Sequence, residues 1–499
     1  MDSLQFSDVE GYGELLPRVL DAALGHLDEL AHRPVRMPQT RARLHELLGG
    51  PLPLTSTPAE KVLETLVRGG QLGASPSGSP RYFGYVVGGT LPIALAADWL
   101  TSVWDQCGVI YDMSPLTGTL EEICGEWLVD LFGLPVGTST AFTPGCTYAN
   151  ILSLTAARHA VLERHGWNVR EQGMQGAPTI TVLANERIHA SVRRALNVLG
   201  LSGNLRKIET DADGRILPIA LERGLKKASG APLIVCGQVG DINTGAIEFL
   251  QPLCEQVHDA GGWVHLDAAF GLWAAATDMR HTLLAGLENA DSWATDAHKW
   301  LNVPYDSGIA FIADKAAHRA ALAMSPDYLQ HNQPRERHTL DWGLSMSARS
   351  RVIPIWAALT QLGKDGVARM VQRHCDQAKR FARLLAEEPG VEIANNVTLN
   401  QIAVRFHHPT HDTDTHTQNV TDAFQHEGIG WAQTSIHNER KILRLSIINW
   451  ATTEDDIDRA AESLLRNHRR LIHQGDMARC AQSVITNHRR IKEAGILQP

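Results

Sequence analysis

The sequence predicts an α/β protein built on a largely parallel sheet, and three observations carry that prediction. The runs "TITVLAN", "PLIVCGQVG", "WVHLDAAF", "DSWATDA" and "SGIAFIA" have strand length and are apolar enough to be buried on both faces. Between and around them, "YANILSLTAARHAVLERHG", "HASVRRALNVLG" and "FLQPLCEQVHDAGG" place apolar residues at helical spacing. Charged residues sit where the apolar runs stop, the edge at which parallel sheets bind ligands.

Taken in order, the chain opens with three helical patterns joined by proline-rich turns: "VLDAALGHLDELA", "TRARLHELLGG" and "PAEKVLETLVRGG". The Gly/Pro/Ser cluster in "GGQLGASPSGSPRYFGYVVGG" ends this N-terminal helical segment, expected over residues 1–80. Strand–helix alternation then predicts a large domain over 81–370. After the helix "KDGVARMVQRHCDQAKRFARLLAE", the strand patterns "VEIANN", "QIAVRFH" and "ILRLSIIN" alternate with "DAFQHEGIGWAQ" and "TEDDIDRAAESLLRNHRRL". That pattern predicts a small α+β domain with a helical tail over 371–499.

Composition narrows the function classes. A chain of 499 residues with a net charge of −9 lacks the basic balance of a nucleic-acid binder. The seven cysteines include no CxxC pair, which fits a reducing compartment. The N-terminus "MDSLQFSDVEGYGELL" carries early acids and no apolar core of signal-peptide length. The apolar stretch "LPIALAADWLTSVW" is broken by Asp98 and is too short to span a bilayer. A soluble, cytoplasmic protein with no nucleic-acid or membrane partner is expected.

Four features could carry chemistry. Asp267 ends the strand pattern "GGWVHLDAAF", where a buried carboxylate needs a cation or hydrogen-bond donors. Lys299 follows "DSWATDAH" at the next strand end. Taken singly, a strand-end Asp is more often a helix cap, and a loop Lys is usually solvated. The stretch "TAFTPGCTYANILSLTAAR" is an apolar run, a Pro-Gly turn and a long helix, so the N–H groups of Cys146 and Thr147 suit a phosphate. His189 stands between "TITVLAN" and a helix, where a cap is the ordinary reading and a ring against an aromatic ligand the functional one. An imine-forming lysine, a carboxylate for a pyridinium nitrogen, phosphate-binding amides and a stacking imidazole together describe a pyridoxal phosphate site.

With those residues in place, the sequence resembles the group II pyridoxal phosphate-dependent decarboxylases, the family of aromatic amino acid and glutamate decarboxylases. The resemblance runs from "SPRYFGYVVGG" to "DDIDRAAESLL" and is most specific in "HLDAAF" and "DAHKWLNVPYDSG". It implies the aspartate aminotransferase-like fold (fold type I), pyridoxal 5'-phosphate as cofactor, and a homodimer with active sites between subunits, the 1–80 segment packing the dimer. By motif, Lys299 is the lysine that carries the cofactor as an imine, and His298 contacts the phosphate. Asp267 keeps the pyridine nitrogen protonated, Ala269 packs under the ring, and His189 stacks over it and touches the substrate carboxylate. Cys146 and Thr147 form the phosphate turn.

Tyr328, in "SPDYLQH", matches the mobile-loop tyrosine that returns a proton after CO2 leaves; relatives with phenylalanine there tend to release aldehyde. Arg444, in "ILRLSIINW", resembles the family's C-terminal arginine. Tyr82, Phe83 and Tyr85 are expected near the substrate side chain, which points to an apolar or aromatic L-amino acid. Asp296 departs from the neutral asparagine of several relatives, and an anion beside a phosphate needs a donor of its own.

Two other readings keep a place. An aminotransferase or aldehyde-forming oxidative deaminase would use the same cofactor and break a different bond. The cluster "RFHHPTHDTDTHTQNV" holds His407, His408, His411 and His416 with Asp412 and Asp414, but its spacing matches no zinc motif, so a solvated polar loop and no metal are expected.

Overall fold

A computed structural model of the chain describes residues 9–36, 41–323 and 336–493. The chain divides into two compact units, one of residues 83–418 and 433–452, the other of 1–82, 419–432 and 453–499.

The first unit is built on a seven-stranded sheet of β1 (Ser139–Thr143), β2 (Thr181–Asn185), β3 (Leu205–Ile208), β4 (Leu233–Gln238), β5 (Trp263–Asp267), β6 (Ser292–Asp296) and β7 (Gly308–Ile312). Their order is β1-β7-β6-β5-β4-β2-β3. Pairings from β3 through β6 are parallel, while β7 runs antiparallel to both β6 and β1. Strands β2, β4, β5, β6 and β7 are buried along their whole length, as strands covered on both faces must be.

Successive residues of each strand serve opposite cores. Leu183, Val235, Val264, Leu266 and Trp293 pack into one apolar cluster, whereas Val182, Ala184, Ile234, Cys236 and Ala294 pack into the other. The helix Cys146–Glu163 lies in the second cluster and is apolar nearly all round, which is why it is buried along its length.

All five strand patterns named from the sequence form strands, and the mostly parallel α/β sheet is as expected. Strand β3 was not legible, because it is short, with the charged Arg206 and Lys207 exposed at its middle. A second sheet, ordered β10-β11-β9-β8, is antiparallel throughout and comprises β8 (Val391–Ile393), β9 (Gln401–Phe406), β10 (Gln433–His437) and β11 (Arg440–Ser446). The helix Val352–Ala386 runs through position 370, with a break at Gly363, where φ is 61°.

The histidine cluster departs from the solvated loop expected of it. A helix begins at Thr413, and His408 and His416 are buried, with ring centroids 5.0 Å apart. Asp414 is drawn into an ion pair with Arg405 at 2.7 Å.

The second unit is helical in its described N-terminal part: Val9–Leu30, Arg41–Leu48 and Ala59–Gly73. Within it, the buried Arg81 pairs with Asp456 at 3.3 Å, and Glu427 accepts from Ser463, Asn467 and Arg466. Tyr12, Leu16, Leu20, Leu24 and Leu27 are exposed along the first helix at three- and four-residue spacing, an apolar stripe open to solvent.

Candidate active site

Strand β6 delivers the lysine. Its apolar residues are buried until Asp296, after which the backbone turns: the N–H groups of Ala297 and His298 both donate to the Ser307 carbonyl. Trp300 anchors the far side of this turn by donating from its indole to His374 Nδ1 at 3.0 Å. Asn302, fully buried with φ of 55°, accepts from the N–H of Gly89 and donates to the carbonyls of Trp300 and Ile448. A side chain at Gly88 would strike the Lys299 carbonyl, so glycine is required where this segment crosses the lysine turn.

Lys299 Nζ stands 3.0 Å from Asp296 Oδ2, and the lysine side chain is 18% exposed. Burial works to lower the amine's pKa, but the negative groups around it, led by Asp296 and including Asp267, outweigh burial and raise it. Asp296 also accepts the Cys146 N–H at 2.6 Å. The donors that an anion at this position needs are therefore the lysine and the start of the helix Cys146–Glu163.

That helix starts at the sheet edge after β1, with Gly145 as its N-cap. An added Cβ on Gly145 would come within 3.5 Å of the His298 ring and 3.6 Å of Asp296 Oδ1, so turn, imidazole and carboxylate share one space. An added Cβ on Gly308 would run into the backbone of Gly145. Strand β7 can approach the turn this closely only as glycine. The His298 ring lies 4.2 Å from that of Tyr305, its Nδ1 accepts the Ser307 N–H at 3.1 Å, and burial lowers its pKa against the pull of Asp296.

Asp267, at the end of β5, is 5% exposed. Cys146 Sγ (3.4 Å) and the Ala269 N–H (3.3 Å) give to Oδ1, and Ser191 Oγ stands 3.3 Å from Oδ2. The thiol can be a donor because burial, and then the charges of Asp267 and Asp296, push its pKa well up. His189 caps the helix Ala190–Val198 by accepting the Ser191 N–H at 3.2 Å, and burial keeps its imidazole neutral against the pull of Asp267.

The structure thus brings Lys299, Asp267, Cys146, Thr147, Ala269, His189 and His298 to one edge of the sheet. Arg444, on β11, is buried; one Nη donates to the Ile242 carbonyl at 2.9 Å, while Nε has no hydrogen-bond partner among the described residues. Its charge acts on His189, and Tyr85 and Asp241 act on it. Phe83 is a core ring, 1% exposed and edge-on to Phe381. Tyr82, in the other unit, stacks on Trp431 at 4.9 Å. Tyr328 lies outside the described residues.

Sequence reasoning passed over Ser191, Asn150, Asn302 and Tyr305. The available signal for Asn150 was one amide in an otherwise apolar helix pattern.

The donor set fits pyridoxal phosphate. A half-buried amine, a carboxylate 5% exposed, and the helix start at Cys146, which Gly308 lets strand β7 approach, match its aldehyde, ring nitrogen and phosphate.

The family model described as pyridoxal-dependent decarboxylase conserved domain matches residues 50–407. An aromatic-L-amino-acid decarboxylase of Bacillus atrophaeus is 25% identical over 468 residues, covering 91% of this chain and 95% of its own. A phenylacetaldehyde synthase of Petunia hybrida is 27% identical over 390 residues, 75% of this chain and 76% of its own. Among solved structures, Oryza sativa TDC with PLP and tryptamine superposes with a TM-score of 0.86 at 20% identity, over 95% of this chain and all (100%) of that one. At that identity the likeness speaks for the fold, which is that of fold type I.

Proposed function

The chain belongs to the pyridoxal-dependent decarboxylase family, and on that premise we propose that it converts an apolar or aromatic L-amino acid to its amine and CO2. The observation that carries the reading is the single cluster of Lys299, Asp296, Asp267, Cys146 and His189 at the carboxyl edge of the sheet.

When bound, pyridoxal phosphate supplies the electron sink for the pair left by the departing carboxylate. Lys299 would hold the cofactor through its amine. Asp267 would keep a proton on the ring nitrogen, with the Cys146 thiol and the Ala269 N–H orienting its carboxylate. Thr147, Cys146 and His298 would hold the phosphate end, Ala269 would border the ring, and His189 would donate to the substrate carboxylate. Arg444, whose buried Nε lacks a partner among the described residues, adds positive charge on the same side. Tyr328, outside the described residues, returns the proton to the carbon that lost CO2.

The assembled enzyme is a homodimer in this reading, with active sites at the subunit interface. A second copy is the occupant proposed for the exposed stripe Tyr12, Leu16, Leu20, Leu24 and Leu27. No described helix is long and apolar enough to cross a membrane. A cytoplasmic site of action is proposed from the scattered cysteines.

One observation favours a second reading. The Petunia hybrida relative is named for an aldehyde product, so oxidative deamination on the same scaffold is the alternative. The alternative needs dioxygen as its two-electron oxidant, so the test is stoichiometry: purified holoenzyme is given single L-amino acids, and CO2, amine, aldehyde and dioxygen uptake are measured together. Equal CO2 and amine supports decarboxylation; aldehyde in place of amine supports the alternative.

A further inference from the structure

Behind His189 runs a line of buried hydrogen bonds that the chemistry above does not use. Trp263 Nε1 donates to Ser292 Oγ at 2.9 Å, and Ser292 Oγ meets His265 Nδ1 at 3.0 Å. His265 Nε2 meets Asn150 Oδ1 at 2.9 Å, and Asn150 Nδ2 donates to Ser191 Oγ at 3.2 Å. Ser191 Oγ then meets His189 Nδ1 at 2.7 Å. Trp263, Asn150, His265 and Ser292 are all fully buried.

The line has a direction. The Asn150 amide oxygen only accepts, so His265 carries its proton on Nε2, and its Nδ1 accepts the hydroxyl proton of Ser292, whose oxygen accepts from the Trp263 indole. The Asn150 amide gives to Ser191 Oγ, which leaves the hydroxyl proton of Ser191 for His189 Nδ1. Asp267 Oδ2 competes for that proton from 3.3 Å, a longer contact. The backbone N–H of Ser191 also approaches His189 Nδ1, at 3.2 Å, and favours the same lone pair without fixing it alone. His265 is suited to the middle of such a line, since burial pushes its pKa down to about 4 and keeps it neutral.

We propose that Asn150 is a positioning residue for His189: held by His265, its amide orients Ser191 so that His189 keeps its lone pair on Nδ1 and carries its proton on Nε2. The nitrogen that carries the proton decides whether the imidazole can donate from Nε2 to a substrate carboxylate. This rests on the reading of His189 as the substrate-facing imidazole. It adds to that reading a residue set in the core of the helix Cys146–Glu163.

Asn150→Asp separates direction from packing. The new carboxylate has the same shape and still accepts from His265, but it takes the Ser191 proton instead of giving one. The tautomer is read by 15N NMR of imidazole-labelled, cofactor-free protein, with His189→Gln used to assign the signals. In the parent protein Nδ1 should read as an unprotonated nitrogen and Nε2 as N–H; in Asn150→Asp, Nδ1 should read as N–H. The holoenzyme variant should lose about 10-fold in kcat, and Ser191→Thr, which keeps the hydroxyl, should keep the parent tautomer.

A protonated Nδ1 in the parent, or an unchanged Nδ1 in Asn150→Asp, overturns the proposal. If Asn150→Asp does not fold, Ser191→Ala carries the test: loss of the single tautomer supports the proposal, and an unchanged Nδ1 signal overturns it. Because the tautomer is read without cofactor or substrate, a failure of the decarboxylase reading would show separately, as absent CO2.

Discussion

Lys299 and Asp296 form an ion pair of 3.0 Å at the sheet edge, and the same carboxylate accepts the first N–H of the helix that starts at Cys146. The carboxylate thus joins the amine to the turn expected to take the phosphate. Its charge is the main reason that the half-buried Lys299 is raised in pKa rather than lowered.

A protonated amine cannot attack an aldehyde, so cofactor attachment in the cofactor-free protein should quicken as pH rises. Asp296→Asn removes the largest group holding the proton on Lys299, so its attachment profile should shift to lower pH. Stopped-flow absorbance after adding pyridoxal phosphate reads this. A profile that does not move would show that Asp296 does not control the amine.

Gly308→Ala should injure the site through backbone contact alone, because its Cβ would meet the backbone of Gly145. The expected cost is on the order of 1–3 kcal/mol in stability, as for other overpacked positions, with weaker cofactor retention. Thermal melts with and without cofactor, and cofactor content after dialysis, check it. Unchanged retention would mean that the turn does not hold the phosphate.

Acid should destabilise the fold through histidines that are buried neutral. His265 is pushed down to about 4, and His318 and His374 to about 3, each chiefly by burial. Groups with lowered pKa bind protons more readily unfolded, so stability falls as pH drops from their ordinary 6.5 toward the folded values. Glu121 and Glu248, raised by burial to about 7, act oppositely between pH 4.5 and 7. Below the glutamates' ordinary 4.5 that opposition ends. There each contributes a loss approaching about 1.4 kcal/mol per pH unit until its folded pKa is reached. Urea melts across this range should show the steepening; a flat profile below the glutamate range would contradict it.

Tyr328→Phe should shift product from amine toward aldehyde, with dioxygen consumed as CO2 release continues, if Tyr328 returns the proton. Amine and aldehyde measured from the same reaction decide it. An unchanged ratio would remove Tyr328 from that role.

The sheet and the main chemical groups were legible because burial on both faces leaves a plain signature. Strands such as "WVHLDAAF" are apolar until a charge interrupts them, and Asp267 and Lys299 stand at such interruptions. The line from Trp263 to His189 was not legible, since it joins residues on four elements and each pairing depends on register and side-chain direction. Asp296 looked like an unfavourable neighbour for a phosphate because its partners, Lys299 Nζ and the Cys146 N–H, appear only when the two strand ends meet. The helix that starts at Thr413 was hidden by its polar first turn, where Asp412 accepts from the N–H and hydroxyl of Thr415.

The most direct measurement pairs the visible absorption of the holoenzyme with CO2 release as L-amino acids are added in turn, using the parent protein and Lys299→Ala. The expected result is an absorption that one apolar or aromatic amino acid shifts in the parent as CO2 appears, and that is missing in Lys299→Ala. A parent whose absorption shifts without CO2, or a Lys299→Ala variant that keeps both, would contradict decarboxylation through Lys299.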